Sequence, residues 1–121
     1  MHMAQSYLIF DFGSNEDVAQ QARHKLEGWR QAFRLGQKLE FRFERVEPEK
    51  KNGPEKIRIL VRLDFSDHEK LSHQRWVDRI PAEEHFKGAS PQVVRSGDAA
   101  HDDTEKLFDS LTGEAPPKAR A

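Results

Sequence analysis

The chain has 121 residues, no cysteine, and 20 Lys and Arg against 21 Asp and Glu, for a formal charge of −1. The missing cysteines exclude disulfides, thiolate catalysis and cysteine-ligated zinc, and the charge balance argues against a whole-chain electrostatic design for nucleic acid or an anionic membrane. With 36% hydrophobic and 34% charged residues, one modest core must sit inside a polar shell, so a single domain with a loosely attached tail is expected.

The opening MHMAQSYLIF has neither a charged n-region nor a long apolar run, which predicts no signal peptide, no spanning segment and a cytoplasmic location. Tyr7 to Phe12 is a short apolar, aromatic-rich run broken by Asp11, as in an interior strand, and Gly13 ends it. Ser14 and Asp17 resemble a capping box. Val18, Ala22, Leu26, Trp29 and Phe33 then recur at steps of four or three, which predicts one buried helical stripe closed by Gly36 at C′.

Leu39, Phe41 and Phe43 alternate with Glu40, Arg42 and Glu44, and Ile57 to Phe65 alternates in the same way. Two half-buried strands are expected, joined by a charged hairpin loop centred on Asn52 and Gly53. Ser66 and Glu69 form an S-x-x-E capping box before a second helix with Leu71, Trp76, Val77 and Ile80, stopped by Pro81. Beyond it, Gln92 to Arg95 reads as a short edge strand and Thr104 to Leu111 as a short helix. The expected division is an N-terminal extension (1–5), an α/β sandwich domain (6–97), a C-terminal helical segment (98–113) and a disordered tail (114–121).

This order predicts an α+β fold: a ferredoxin-like β-α-β-β-α(-β) two-layer sandwich, with an antiparallel sheet and its helices on one face. The first and third strands should be central and the second an edge. The open face then carries Tyr7, Ile9, Asp11, Glu40, Arg42, Glu44, Arg58, Leu60, Arg62 and Asp64. A hairpin centred near Asn52 pairs residues whose numbers sum to 104 or 106, and 106 is preferred because it sets Arg42 against Asp64 and Glu44 against Arg62. A bulge near Arg45 and Val46 would shift it locally. Once the arginines are neutralised in this way, Ile9, Leu60 and Val46, with Tyr7 at the margin, remain as an apolar island. It is covered either by a second chain or by Leu107, Phe108 and Leu111 folding back.

The segment LIFDFGSN, residues 8–15, resembles the first motif of haloacid-dehalogenase-like hydrolases, which implies Asp11 as a nucleophile. Gly13 stands at the second acidic position of that motif, and a hairpin follows where that parallel fold continues. The strand order also matches an RNA-recognition module with Tyr7 as a stacking aromatic, although Arg58, Leu60 and Arg62 stand where that module presents aromatics. A nucleic-acid binder would use the stripe Arg23, Arg30 and Arg34, extended by Lys38, with Glu27 interrupting it.

His68 and His73 are five apart and diverge, and Glu69 with His73 supplies only two ligands, so no metal and no other cofactor are expected. His101-Asp102-Asp103 reads as a helix start. The function expected is a non-catalytic protein-interaction or adaptor module, partnered by another protein or by itself as a homodimer through Tyr7, Ile9, Leu60 and Val46. Nucleic-acid binding through the basic stripe and a small hydrolase using Asp11 are the alternatives, and no membrane partner is expected.

Overall fold

In the computed structural model, residues 4–46 and 56–111 are described. Strand β1 (Ala4–Asp11) leads to helix α1 (Glu16–Ala32), then to β2 (Leu39–Val46) and β3 (Lys56–Phe65). Helix α2 (Lys70–Ala82), a short helix α3 (Glu84–Lys87), strand β4 (Gln92–Arg95) and helix α4 (His101–Ser110) complete the order. The four strands form one open antiparallel sheet in the order β2-β3-β1-β4. β1 and β3 are central and β2 and β4 are the edges, so the most apolar strands lie where both neighbours are strands.

The period-two pattern sets the faces. Leu8, Phe10, Phe12, Leu39, Phe41, Phe43 and the odd residues from Ile57 to Phe65 all enter one core with Leu26 and Trp29 of α1, Trp76, Val77 and Ile80 of α2, and Phe86 of α3. Phe86 reaches Phe10 at 4.7 Å and Trp29 at 6.1 Å between ring centres. The expectation that all helices lie on one face is corrected here. α4 lies across the opposite face, where Phe108 joins Tyr7, Leu60 and Val94 in a second cluster.

The hairpin register differs from both sums considered. Leu39 pairs with Leu63, Glu40 with Arg62, Arg42 with Leu60 and Glu44 with Arg58, a sum of 102. This register keeps the parity that buries the odd residues. It opposes glutamate to arginine twice, as many opposite-charge pairs as the preferred sum of 106 would make, so charge pairing does not separate the two. Pairing continues through Val46 opposite Lys56 with no bulge. The Asn52-Gly53 turn and the tail over 114–121 lie outside the described residues, as does the side chain of Val46.

Helix boundaries moved for identifiable reasons. Asn15, not Ser14, caps α1, its side-chain oxygen accepting from Val18 N at 3.1 Å. Ala19 is buried, while Phe33 caps the C-terminus and is 51% exposed. The C′ residue is Arg34, at φ +52°, instead of Gly36: Leu35 N donates to Arg30 O and Arg34 N to Gln31 O, which is the Schellman pattern. A left-handed conformation costs a residue with a Cβ roughly 1–2 kcal/mol, so this helix ends at a strained arginine.

The capping box of Ser66 and Glu69 is present. The helix it opens runs past Pro81 to Ala82, because a proline in the last turn forfeits a single intrahelical bond. Its buried stripe is His73, Trp76, Val77 and Ile80, and Leu71 is 83% exposed. α4 starts after Ala100, with Asp102 and Asp103 in its first turn and no side-chain cap. Asp98 serves the preceding turn by accepting from Arg95 N at 2.7 Å.

Candidate functional site

The residues expected to form an interaction surface lie on the face opposite the main core. Leu60 and Tyr7 are fully buried there, Ile9 is partly buried, and the cover is α4. Of the two covers expected for this island, the chain carries the second itself. Phe108 is 1% exposed and stands 5.6 Å from the Tyr7 ring centre, with the guanidiniums of Arg42 and Arg62 at 5.0 and 4.8 Å from its own. Two cations within reach of one aromatic ring make an electrostatically favourable seat. His101, at the start of α4, meets the Tyr7 ring edge-on at 5.3 Å.

Around this seat the arginines are paired as strand neighbours. Arg62 bonds Glu40, and Arg58 Nε donates to Glu44 at 2.6 Å. Arg62 Nε and His101 Nε2 are buried here without a hydrogen-bond partner among the described residues, and the Tyr7 hydroxyl lies against Arg62. Burial pushes the Tyr7 phenol above its usual range. The neighbouring Arg62 opposes that shift, and Glu105 and Asp109 add to it.

The basic stripe of α1 is divided by the fold. Arg23 bonds Glu27 at 2.7 Å and Gln20 at 3.1 Å, and Arg30 lies over the Phe41 ring at 5.2 Å, so both are engaged locally. Arg34 and Lys38 instead meet Arg75 and Arg79 of α2 around a groove of about 260 Å³ whose walls include Phe33, Phe65 and Trp76. Lys38 Nζ donates to Glu69 Oε2 at 2.5 Å, and this bond, with that from the Ser66 hydroxyl, holds the Glu69 carboxyl below its ordinary range. Arg79 packs on Trp76, Phe33 and Trp29 at 5.3, 5.4 and 5.7 Å. Arg75 and Arg79 were missed in the sequence reading. The available signal was the R-W-x-x-R spacing on α2, which places both cations one turn apart beside a tryptophan.

Asp11 and His85 come together around a hollow of about 240 Å³, with Asn15 and Glu84 also on its wall. Asp11 spends one carboxylate oxygen on Gly13 N at 2.8 Å, which shapes the turn after β1. Its cross-strand neighbour is Arg58, whose guanidinium turns to Glu44. His85 Nδ1 lies 3.0 Å from Glu83 Oε1. Burial raises the Glu83 carboxyl, but the hydrogen bonds from His85 outweigh it and leave the group below its usual range. His73 stacks on Phe65 at 5.4 Å, and burial, reinforced by Arg95, lowers its pKa against the opposing pull of Asp64. Among the described residues no three His, Asp or Glu side chains are grouped to hold a metal ion, and no helix is long and apolar enough to cross a membrane.

Comparison of the chain with protein-family models, curated proteins and solved structures found no match in any of the three.

Proposed function

We propose that this chain is a small, non-catalytic protein-interaction module that self-associates through the sheet face around Tyr7, Ile9 and Leu60, with α4 as the element two copies exchange. The observation that carries this reading is the seat of Phe108. The apolar island is filled by a helix that the chain carries at the end of the short exposed segment 96–100, in which Gly97 holds φ +95°. A second copy brings the same helix and the same Phe108, so each sheet face can be filled by its neighbour's α4 without a new contact surface. Arg62 Nε and His101 Nε2, buried without a partner, lower the cost of opening α4 by roughly 1–3 kcal/mol each, and the exchanged form buries the same atoms again, so this cost does not set one form against the other.

We read the architecture as the ferredoxin-like split β-α-β plan with α4 added, a reading supported by the central β1 and β3 and by the core helices on one face. The cytoplasm is the proposed location. Nucleic-acid binding along α1 is disfavoured, since Arg23 and Arg30 are engaged by their own neighbours.

Light scattering over a concentration series tests the exchange. The full chain is expected to form a dimer that grows with concentration, and deletion of residues 97–99, which keeps α4 from reaching its own sheet, should make the dimer obligatory. Phe108→Asp should return both proteins to monomers. A strict monomer for the full chain and for the shortened variant would overturn the proposal.

A further inference from the structure

We infer that the groove between the end of α1 and α2 is a binding site for a phosphoryl group carried on a flat ring, that is, for a nucleotide. The site lies on the core-helix side of the sheet, away from α4, and does not depend on how α4 is used.

Charge selects the class of ligand. Arg34, Lys38, Arg75 and Arg79 meet around one groove against the single carboxylate of Glu69. Lys38 is taken by that carboxylate and Arg79 by three aromatic rings. No ion pair or hydrogen bond engages the side chains of Arg34 and Arg75 among the described residues. Elsewhere the fold pairs its arginines closely: Arg58 with Glu44, Arg62 with Glu40, Arg45 with Glu16 and Arg23 with Glu27. Two unpaired guanidinium forks on one groove are suited to a doubly charged oxyanion, since each offers parallel donors that match phosphate oxygens, and the surplus of positive charge exceeds what one carboxylate would balance.

Shape narrows the class further. The groove, about 260 Å³, is at the small end for a ligand site, so it suits the phosphoryl end of a small ligand with its ring laid at the rim and is small for an extended polymer. Phe33 stands at its rim with 51% of its surface exposed, braced edge-on by Trp76 at 5.1 Å between ring centres. A rigid, half-exposed ring beside an anion seat is what a stacked base needs.

The backbone adds an independent mark. Arg34 occupies a left-handed position that glycine would take without strain, although Gly36 lies only two residues on. Strained non-glycine residues gather at ligand sites, where the side chain is worth more than the strain it costs.

The same fact supplies a clean variant, because Arg34→Gly removes the cation while relaxing the backbone. Titrations of the full-length protein with AMP, followed by calorimetry and tryptophan fluorescence, should saturate at one equivalent, with adenosine markedly weaker. Arg34→Gly and Arg75→Ala should each weaken AMP by at least about tenfold, with the thermal midpoint of Arg34→Gly unchanged or raised. Phe33→Ala should weaken AMP more than pyrophosphate. A 5′-phosphorylated trinucleotide separates the two sources of this chemistry: tighter binding than AMP identifies a strand end, weaker binding a free nucleotide, and either supports the site. Absence of saturation by millimolar AMP, equal binding of adenosine, equal binding of a hexaglutamate peptide, or indifference to both arginine variants would overturn it.

Discussion

The two faces of the sheet hold their covering helices by different means. On the face under α1, α2 and α3, the inward residues of β1, β2 and β3 are apolar apart from Ser6 and Arg45, and the helices add Leu26, Trp29, Trp76, Val77, Ile80 and Phe86 to one continuous core. On the other face, Glu40, Glu44, Arg58 and Arg62 form cross-strand pairs, and α4 is held over a small island chiefly by Phe108. The first face is stabilised by area removed from water, which grows with each residue added. The second relies on one deeply seated ring and its two guanidinium neighbours, and it leaves polar atoms buried without partners. One sheet therefore carries an extensively packed layer and a sparsely packed one, with the alternation of its strands deciding which face receives which.

The largest effect expected from breaking this contrast is on the core face. Phe10→Ala leaves a void beneath Phe86 and should cost about 3–5 kcal/mol of global stability, read from the midpoint of chemical denaturation. A loss below about 1 kcal/mol would contradict the continuous core.

Phe108→Ala should be milder, about 1.5–3 kcal/mol, and different in kind. Amide exchange should accelerate throughout α4 while β1 and β3 stay protected, because the helix opens as a local unit. Equal acceleration in both strands would mean that the two faces unfold together and that α4 is no removable layer.

The smallest effect is one of pH. Burial and Arg95 lower the pKa of His73, so the folded chain favours the neutral ring. As pH falls below the unfolded histidine value of about 6.5, the unfolded chain takes up a proton that the folded chain refuses, and stability declines until the lowered folded value is passed. The contribution is fully present above that window. His73→Gln should flatten the difference in denaturation midpoint between neutral and mildly acidic pH. Because His73 belongs to the core-face helix, Phe108→Ala should leave this slope intact.

Much of the fold was legible because it rests on periodicity. The apolar inward residues of β1, β2 and β3 were legible, since a strand with one apolar face admits only one orientation, whereas Ser6 and Arg45 on the same face carry no apolar signal. The Ser66–Glu69 capping box and the edge strand Gln92–Arg95 were legible from local chemistry. The register was not. Sums of 102, 104 and 106 bury the same residues, so the choice rested on loop geometry and charge pairing, and the pairing of Glu40 with Arg62 and Glu44 with Arg58 was reached only by shifting the loop centre. Leu71, expected on the buried stripe of α2, is exposed for a related reason: a lone apolar residue near a helix end carries no period that says which way it faces.

What the sequence determined by itself was therefore which residues of each strand are apolar and lie together, because alternation is a local property of a chain with a side-chain period of two. It also marked the open face as a charge ladder with an island at Ile9 and Leu60. What covers that island was decided only in three dimensions. Phe108 is 48 residues from Leu60 in the chain, and no periodicity connects residues across a turn, an edge strand and a linker. The meeting of Arg34 with Arg75 was decided in the same way, because it follows from how the end of one helix packs beside another.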